Sequence, residues 1–480
     1  MSQLTYDCLN EIFEYLEDDN LTLHSCILVN RLWCEVSVRI FWRDVWNYSI
    51  SNFRTLVSCL PSESKEILYK NGIIISTSTS KTPTFNYASF CKVLSVNRVH
   101  YKIEELFKNQ KNTSSSNFNY KVHIVMQEII QMFMKEISSL RSLTLFIYPN
   151  TTFDLFQSKD CLKNLSDFRC GSNISTDLFY QLSQICYNIQ SFTLEAEGIV
   201  SNGLADLISV QRNLKCFNMI LCYDLDNNSL TNIIPSILLK LPNTLAKLEL
   251  FGADYYIPLS FIADFSNLQE LKLSFYFCSS FIDFERLQHT LFPQLQVLKF
   301  KEKYPGIGLL IRFLENNGKN LEEICIGDFV CCSDNSLNLA IAKFCPSLRK
   351  LSVGIKHNEL ETLKIIFNSC KNLESIKIWC GGEFLNEKEA LETAAKYSQN
   401  IYKLKLYYLY KVRFELLPEE LESFFISWID RKPQKSLSLV VDKFDDANSL
   451  DANHKNIEII NKYIKLGVIK KFKVTEFEDD

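Results

Sequence analysis

Seventeen cysteines and six histidines are the residues of this chain with the widest chemical repertoire. A thiolate can attack an electrophile or bind a metal, and an imidazole can act as base or ligand. Either task needs partners at set spacings. No Cys-x-x-Cys pair occurs, and His24, His100, His123, His289, His357 and His454 fall in no metal-ligand spacing with the cysteines. There is no Gly-x-Ser-x-Gly elbow, no P-loop, no Gly-x-Gly-x-x-Gly and no His-Glu-x-x-His. The expectation is a chain without catalytic residues, metal or cofactor. Its cysteines then read as small buried apolar residues in a reducing cytosol or nucleus.

Lysine is the second candidate, for binding rather than catalysis. Lys272, Lys299, Lys377, Lys405 and Lys473 each stand between two apolar residues, in a column that also holds Cys325, Ser352 and Ser438. Lys247, Lys350, Lys403 and Lys471 form a neighbouring column, with Phe251, Trp379 and Tyr407 close by. Such a wall of lysines with aromatic anchors suits an acidic or phosphorylated segment. The same lysines also fit plain solvated strands, where they blunt unwanted strand pairing. Target-binding candidates are therefore Lys272, Lys299, Lys350, Lys377, Trp379, Lys403, Lys405 and Tyr407.

The elements that hold these residues repeat. Thirteen times a residue is followed three places on by an apolar one and two places further by another, starting at Leu140, Leu165, Ile189, Leu214, Leu245, Leu268, Leu295, Leu321, Leu348, Leu373, Ile401, Gln434 and Ile469. Only Gln434 among the starts is polar, and the spacing runs from 23 to 35 residues. A period of this size marks a solenoid. In 345–353 the end of the pattern alternates as a short strand, and Leu337, Leu339, Ile341, Ala342 and Phe344 before it suit a helix packed behind. One unit cannot bury its strand face alone, so stacking supplies the core. A stack of strands offers a long surface, which points to recognition.

Before the repeats, residues 4–46 read as three short helices. Leu9, Ile12, Phe13 and Leu16 share one helix face, residues 21–29 form a second apolar segment, and Leu32, Trp33, Val36 and Ile40 mark a third. Residues 47–139 read as a helical neck capping the array, with helical segments around 87–94 and 122–137 and mobile loops near 76–84 and 111–119. The array spans 140–475, and 476–480 is an acidic tail. A net charge of −4 gives no footprint for nucleic acid or a membrane surface. The first residues show neither a basic region nor an apolar run, so no signal peptide is expected, and no stretch is apolar enough to span a bilayer.

The repeats resemble the cysteine-containing leucine-rich repeat, Cys-x-x-Leu-x-x-Leu-x-Leu, at 186–194, 345–353 and 370–378. Residues 4–46 resemble an F-box: Leu4 with Thr5 where the family has Pro, then Leu9, Ile12-Phe13 and Leu16, then Cys26-Ile27-Leu28-Val29-Asn30-Arg31-Leu32-Trp33, with Trp42 and Trp46 beyond. The resemblance implies an α/β fold with a three-helix F-box ahead of a solenoid, parallel strands on the concave side and helices on the convex side. It further implies the substrate receptor of an SCF-type ubiquitin ligase. The F-box would dock on a Skp-type adaptor, and through it on cullin and RING subunits, while the repeats hold a target. Adaptor-contact candidates are Leu4, Leu9, Ile12, Leu16, Leu28, Val29 and Trp33. Some of these equally fit a role in packing the three helices together. Two other readings stand: a repeat scaffold whose F-box serves a non-degradative assembly, and an enzyme with a site between neck and array.

Overall fold

A computed structural model describes residues 4–75, 83–108, 118–146, 159–197, 200–222, 234–252, 258–281, 283–327, 333–408, 416–444, 447 and 449–476. The loops expected near 76–84 and 111–119 and the acidic tail at 476–480 lie largely outside these residues. The chain forms two compact units, Met1–Pro242 and Asn243–Asp480.

The first unit opens with three helices, α1 (Tyr6–Glu14), α2 (Asn20–Ile27) and α3 (Arg31–Phe41). Each has a polar cap that binds an otherwise unpaired N–H of the first turn. Thr5 accepts from Cys8 N at 3.4 Å, Asp19 from Thr22 N at 3.0 Å and Asn30 from Trp33 N at 2.9 Å. Thr5 thus supplies a cap hydrogen bond, which a proline there could not. Leu9 and Phe13 of α1 meet Leu23, Cys26, Val36 and Ile40 in one small core. Arg43 fastens the end of α3 to α1 through a two-pronged contact with Glu14, both bonds at 2.7 Å, and a third bond to Glu17 at 3.2 Å. Its hydrogen bonds hold the Glu14 carboxyl below the usual carboxylate range.

The neck is mostly helical, with helices Ile50–Cys59, Ser62–Lys70, Val96–Lys108 and Phe118–Glu136. The segment expected to be helical around 87–94 differs. It is a short 3-10 turn, Tyr87–Phe90, followed by a strand, β1 (Val93–Ser95). β1 runs parallel to β2 (Ser142–Leu145), with Leu94 opposite Leu143. The array therefore starts one rung before Leu140. Three residues show no readable period, so the strand exists because β2 offers an edge and Leu94 is buried beneath it. The Arg43 carbonyl accepts from Lys92 N at 2.8 Å and Val93 N at 3.0 Å, which joins the three-helix unit to this first rung. β3 (Asp167–Gly171), β4 (Ser191–Ala196) and β5 (Cys216–Leu221) continue in parallel, with Phe168, Phe192 and Phe217 in register.

Among the described residues the second unit carries nine strands, each parallel to the next: β6 (Lys247–Gly252), β7 (Glu270–Phe275), β8 (Val297–Phe300), β9 (Glu323–Ile326), β10 (Lys350–Val353), β11 (Ser375–Cys380), β12 (Lys403–Tyr408), β13 (Leu437–Lys443) and β14 (Ile469–Glu476). Helices Ile307–Asn317, Asn335–Phe344, Leu360–Ser369, Glu387–Tyr397, Pro418–Ile429 and His454–Lys465 alternate with the later strands. A buried row passes through Leu271, Leu298, Ile324, Leu351, Ile376, Leu404 and Leu439. Each such side chain contributes about 1.5–3 kcal/mol when fully covered, and its cover comes from the rungs beside it.

The cysteine of the repeat lies in the turn before its strand and is buried. Cys186 Sγ donates to Leu162 O at 3.6 Å, and Cys370 Sγ to Cys345 O at 3.4 Å, linking successive turns. Elsewhere an amide has the same task. Gln211 accepts from Ile189 N at 3.0 Å and donates to Cys186 O at 2.7 Å, and Asn317 accepts from Phe292 N at 2.7 Å. These are parallel rungs of leucine-rich-repeat type, in an α/β fold.

Candidate functional site

On the three-helix unit, the apolar residues divide by the face they occupy. Leu9 is 1% exposed and belongs to the core, which corrects its assignment as a contact residue. Position 9 falls one turn before Phe13, on the side of α1 that meets α3. Leu16 and Trp33 are partly buried against that core, and Trp33 packs edge-on to Phe13 with ring centroids 5.1 Å apart. Leu4, Ile12, Leu28 and Val29 face solvent, Ile12 at 48% and Leu28 at 75% exposed. Tyr15 and Leu21 join them and were missed in the sequence. Their signal was present: 8, 12 and 15 fall on one side of α1, and 21, 25 and 28 on one side of α2. Six large apolar side chains exposed on so small a unit are more than scattered surface residues account for.

On the second unit, the face of the sheet that turns away from the leucine row carries the lysine columns. Their order is set by strand register, and most of the lysines are paired. Lys272 meets Glu270 at 2.7 Å and Glu249 at 3.7 Å. Lys299 and Lys350 both meet Glu323, at 2.7 and 3.3 Å. Lys405 meets Asp442 at 2.7 Å. Burial alone would push the Glu270 carboxyl up, but Lys272 and Lys247 outweigh it and hold it below its ordinary value. Glu323 follows the same pattern, with burial overcome by Lys299 and Lys350. Burial would likewise depress the Lys272 ammonium, and Glu270 and Glu249 reverse that, raising it. Over β6–β10 the expected lysine wall is thus a ladder of alternating charge. Glu270 stands two residues before Lys272 on the same strand, but the pairs Lys272–Glu249, Lys299–Glu323 and Lys350–Glu323 were invisible in the sequence because their members stand 23–27 residues apart on adjacent strands.

Trp379 and Tyr407 correct the second expectation. They are 1% and 0% exposed, packed edge-to-face at 4.2 Å and joined by Phe384. Lys377 lies over both rings, 5.2 Å from Trp379 and 4.2 Å from Tyr407. The pair is therefore covered by this chain's own lysine and by the loop bearing Phe384. Neither ring is an open anchor. Ser438 is also misplaced by the sequence. In the register β13 sets Leu439 opposite Leu404 and Val440 opposite Lys405, so Val440 fills the lysine column and Ser438 lies beside Lys403. Leu437, Leu439 and Val441 alternate without a break, so period 2 admitted two registers and only pairing with β12 chose between them.

A groove of about 630 Å³ crosses β12–β14, lined by Lys403, Lys405, Lys470, Lys471 and Lys473 together with Ser438 and Asp442. A second, of about 480 Å³, crosses β7–β13, mixes Lys272, Lys299 and Lys350 with Glu323 and Glu374, and shares Lys403, Lys405 and Asp442 with the first. One ionisable group stands apart. Burial pushes the Glu387 carboxyl up to about 6, against hydrogen bonds from Tyr408 Oη at 2.5 Å and Leu416 N at 3.3 Å. It is sealed in the protein and lines neither groove, so it acts on stability. Among the described residues no cluster of three or more His, Cys, Asp or Glu could hold a metal, and no helix is long and apolar enough to cross a membrane.

No protein-family model matches the chain, and no curated protein does. Solved structures similar to it include the leucine-rich repeat-containing protein LegL7 from Legionella pneumophila, at 13% identity over 67% of this chain and 97% of that one, with a TM-score of 0.38. The Rad7 and Elc1 complex in yeast aligns at 14% identity over 73% and 88%, TM-score 0.35. The mouse RP105/MD-1 complex aligns at 12% identity over 72% and 80%, TM-score 0.32. At such scores the fold assignment stands on the chain's own register of parallel rungs.

Proposed function

We propose that this chain is the substrate-recognition subunit of an SCF-type ubiquitin ligase. The three-helix unit docks on a Skp-type adaptor, which recruits cullin and RING subunits, and the repeats hold a target protein. The task is bridging, and bridging needs two surfaces and no acid, base or nucleophile of its own. The observation that carries the reading is the set Leu4, Ile12, Tyr15, Leu21, Leu28 and Val29, apolar side chains left in water by a unit whose core is already complete. An apolar helix face of this kind is what a partner helix covers. The sheet face of the second unit, with its fixed charge order, supplies the recognition surface.

The ubiquitin chemistry belongs to the assembled partners, and a buried repeat cysteine such as Cys186 or Cys370, kept as a thiol that donates to a backbone carbonyl, suits the cytoplasm or nucleus. The test is reconstitution of the full chain with a purified Skp-type adaptor, cullin and RING subunit. Co-elution of all four supports the ligase reading. Adaptor binding without cullin recruitment would favour a non-degradative scaffold, and no adaptor binding would refute both.

A further inference from the structure

We propose that β14 is an interface between two copies of this chain, whose last strands pair edge to edge and antiparallel about a two-fold axis. This goes beyond the ligase reading and does not depend on it. The first observation is a step in cover at the last rung. In β13, Leu439 and Val441 are fully buried between the rungs on either side. Their partners in β14, Phe472 and Val474, are partly exposed. The helices behind the sheet show the same step. Leu421, Phe425 and Trp428 of the helix Pro418–Ile429 are at most 1% exposed. In the last helix, His454–Lys465, Ile464 is 39% exposed and Ile457 is also partly exposed. Positions 457 and 464 share one side of that helix, opposite the side on which Lys462 and Tyr463 meet Glu422 and Phe425. Among the described residues no strand pairs with the outer edge of β14, which is eight residues long. A long edge with apolar side chains half covered is a template for another strand.

Charge identifies the occupant. β14 carries Lys470, Lys471 and Lys473 in its first part and ends on Thr475 and Glu476, and the sequence continues Phe477-Glu478-Asp479-Asp480. The strand is basic at its start and acidic at its end. A second copy laid parallel, as a further rung would be, sets each lysine beside its own equivalent. Laid antiparallel, it sets the basic end of each copy against the acidic end of the other. The strand supplies the complement to its own charge, which singles out a second copy over an unrelated strand.

The apolar face fixes the register. Phe472 and Val474 lie in the leucine rows, opposite Leu439 and Val441. Residues directly opposite each other across an antiparallel pair share a face. With Phe472 opposite Val474 of the second copy, both copies keep these side chains inward. Lys470 then stands opposite Glu476 and Lys471 opposite Thr475, each twice by symmetry. Lys473 lies on the axis and meets its own equivalent, the one repulsive position between 470 and 476. The same axis brings the two last helices together behind the joined strands, where Ile457 and Ile464 find cover.

The test is the solution mass of the full chain, by light scattering and sedimentation over a range of concentrations. A dimer is expected. Lys470→Glu in one protein and Glu476→Lys in another should each weaken self-association about tenfold or more, since each turns two attractive cross-strand pairs into repulsive ones. Urea unfolding of both should match the parent. Mixing the two variants should restore a mixed dimer, because each supplies the sign that the other lacks. Lys473→Cys, on the axis, should form a disulfide between copies on mild oxidation that the parent does not form. A monomer at every concentration, a dimer indifferent to both charge reversals, a variant that pairs better with the parent than with its opposite, or no bridge at position 473 would overturn the proposal.

Discussion

Replacing Ile12 and Leu28 by alanine gives the sharpest test of how the N-terminal unit works. The two side chains are 48% and 75% exposed. A partner that covers them removes from water slightly more than one full aliphatic side chain, so truncating both should cost the complex about 2–3 kcal/mol. In Kd for a purified Skp-type adaptor, that is roughly a 30- to 150-fold rise. The free chain should lose under about 1 kcal/mol, because neither residue is in the core and alanine favours helix. Calorimetric titration measures the first quantity and urea unfolding the second. Leu9→Ala is the contrasting variant: at 1% exposure it should cost the fold about 2–5 kcal/mol. A well-folded Ile12→Ala, Leu28→Ala protein that binds the adaptor as tightly as the parent would refute the assignment of these faces.

Other outcomes follow from the same structure. Leu351→Ala, in the buried row between Ile324 and Ile376, should cost about 2–5 kcal/mol and lower the urea midpoint of the second unit. The Glu387 carboxyl titrates near 6 in the fold against an ordinary 4.5, so the folded state holds its proton more tightly than the unfolded chain. Its effect on stability is nil below about pH 4.5 and becomes a penalty of about 2 kcal/mol as pH rises through 6. Unfolding of Glu387→Gln followed from pH 4.5 to 7 should lack that decline relative to the parent. Exposed Cys8 and Cys278 should be alkylated in the native protein at pH 8. Burial raises the thiols of Cys161 and Cys370 to about 11 and Cys186 to about 12, so these should react only on unfolding, as read by mass spectrometry.

Much of the architecture was legible because it depends on local spacing. Leu348, Leu351 and Val353 identify a rung from six residues, and the cysteine ahead of them identifies its turn. The three N-terminal helices were readable from the same kind of period. β1 was not, since a three-residue strand in a helical neck has no period to read and forms only on the edge that β2 supplies. Cores were easier to name than surfaces. Leu351 and Ile376 are buried as their positions require, whereas Trp379 and Tyr407 stand at positions where a side chain is normally open. Their burial depends on Phe384 and Lys377 folding over them, which is a contact between separate rungs and loops.

By itself the order of residues determined that short parallel strands would stack with their leucines inward, because alternation and period act within a single repeat. It could not determine which lysines remain unpaired. That depends on which carboxylate faces each ammonium across a strand boundary, as Glu323 faces Lys299 and Lys350, and on the register that sets Val440 rather than Ser438 between Lys405 and Lys473. Register is a property of neighbouring strands together. Only the folded sheet could separate a neutralised ladder from a basic groove.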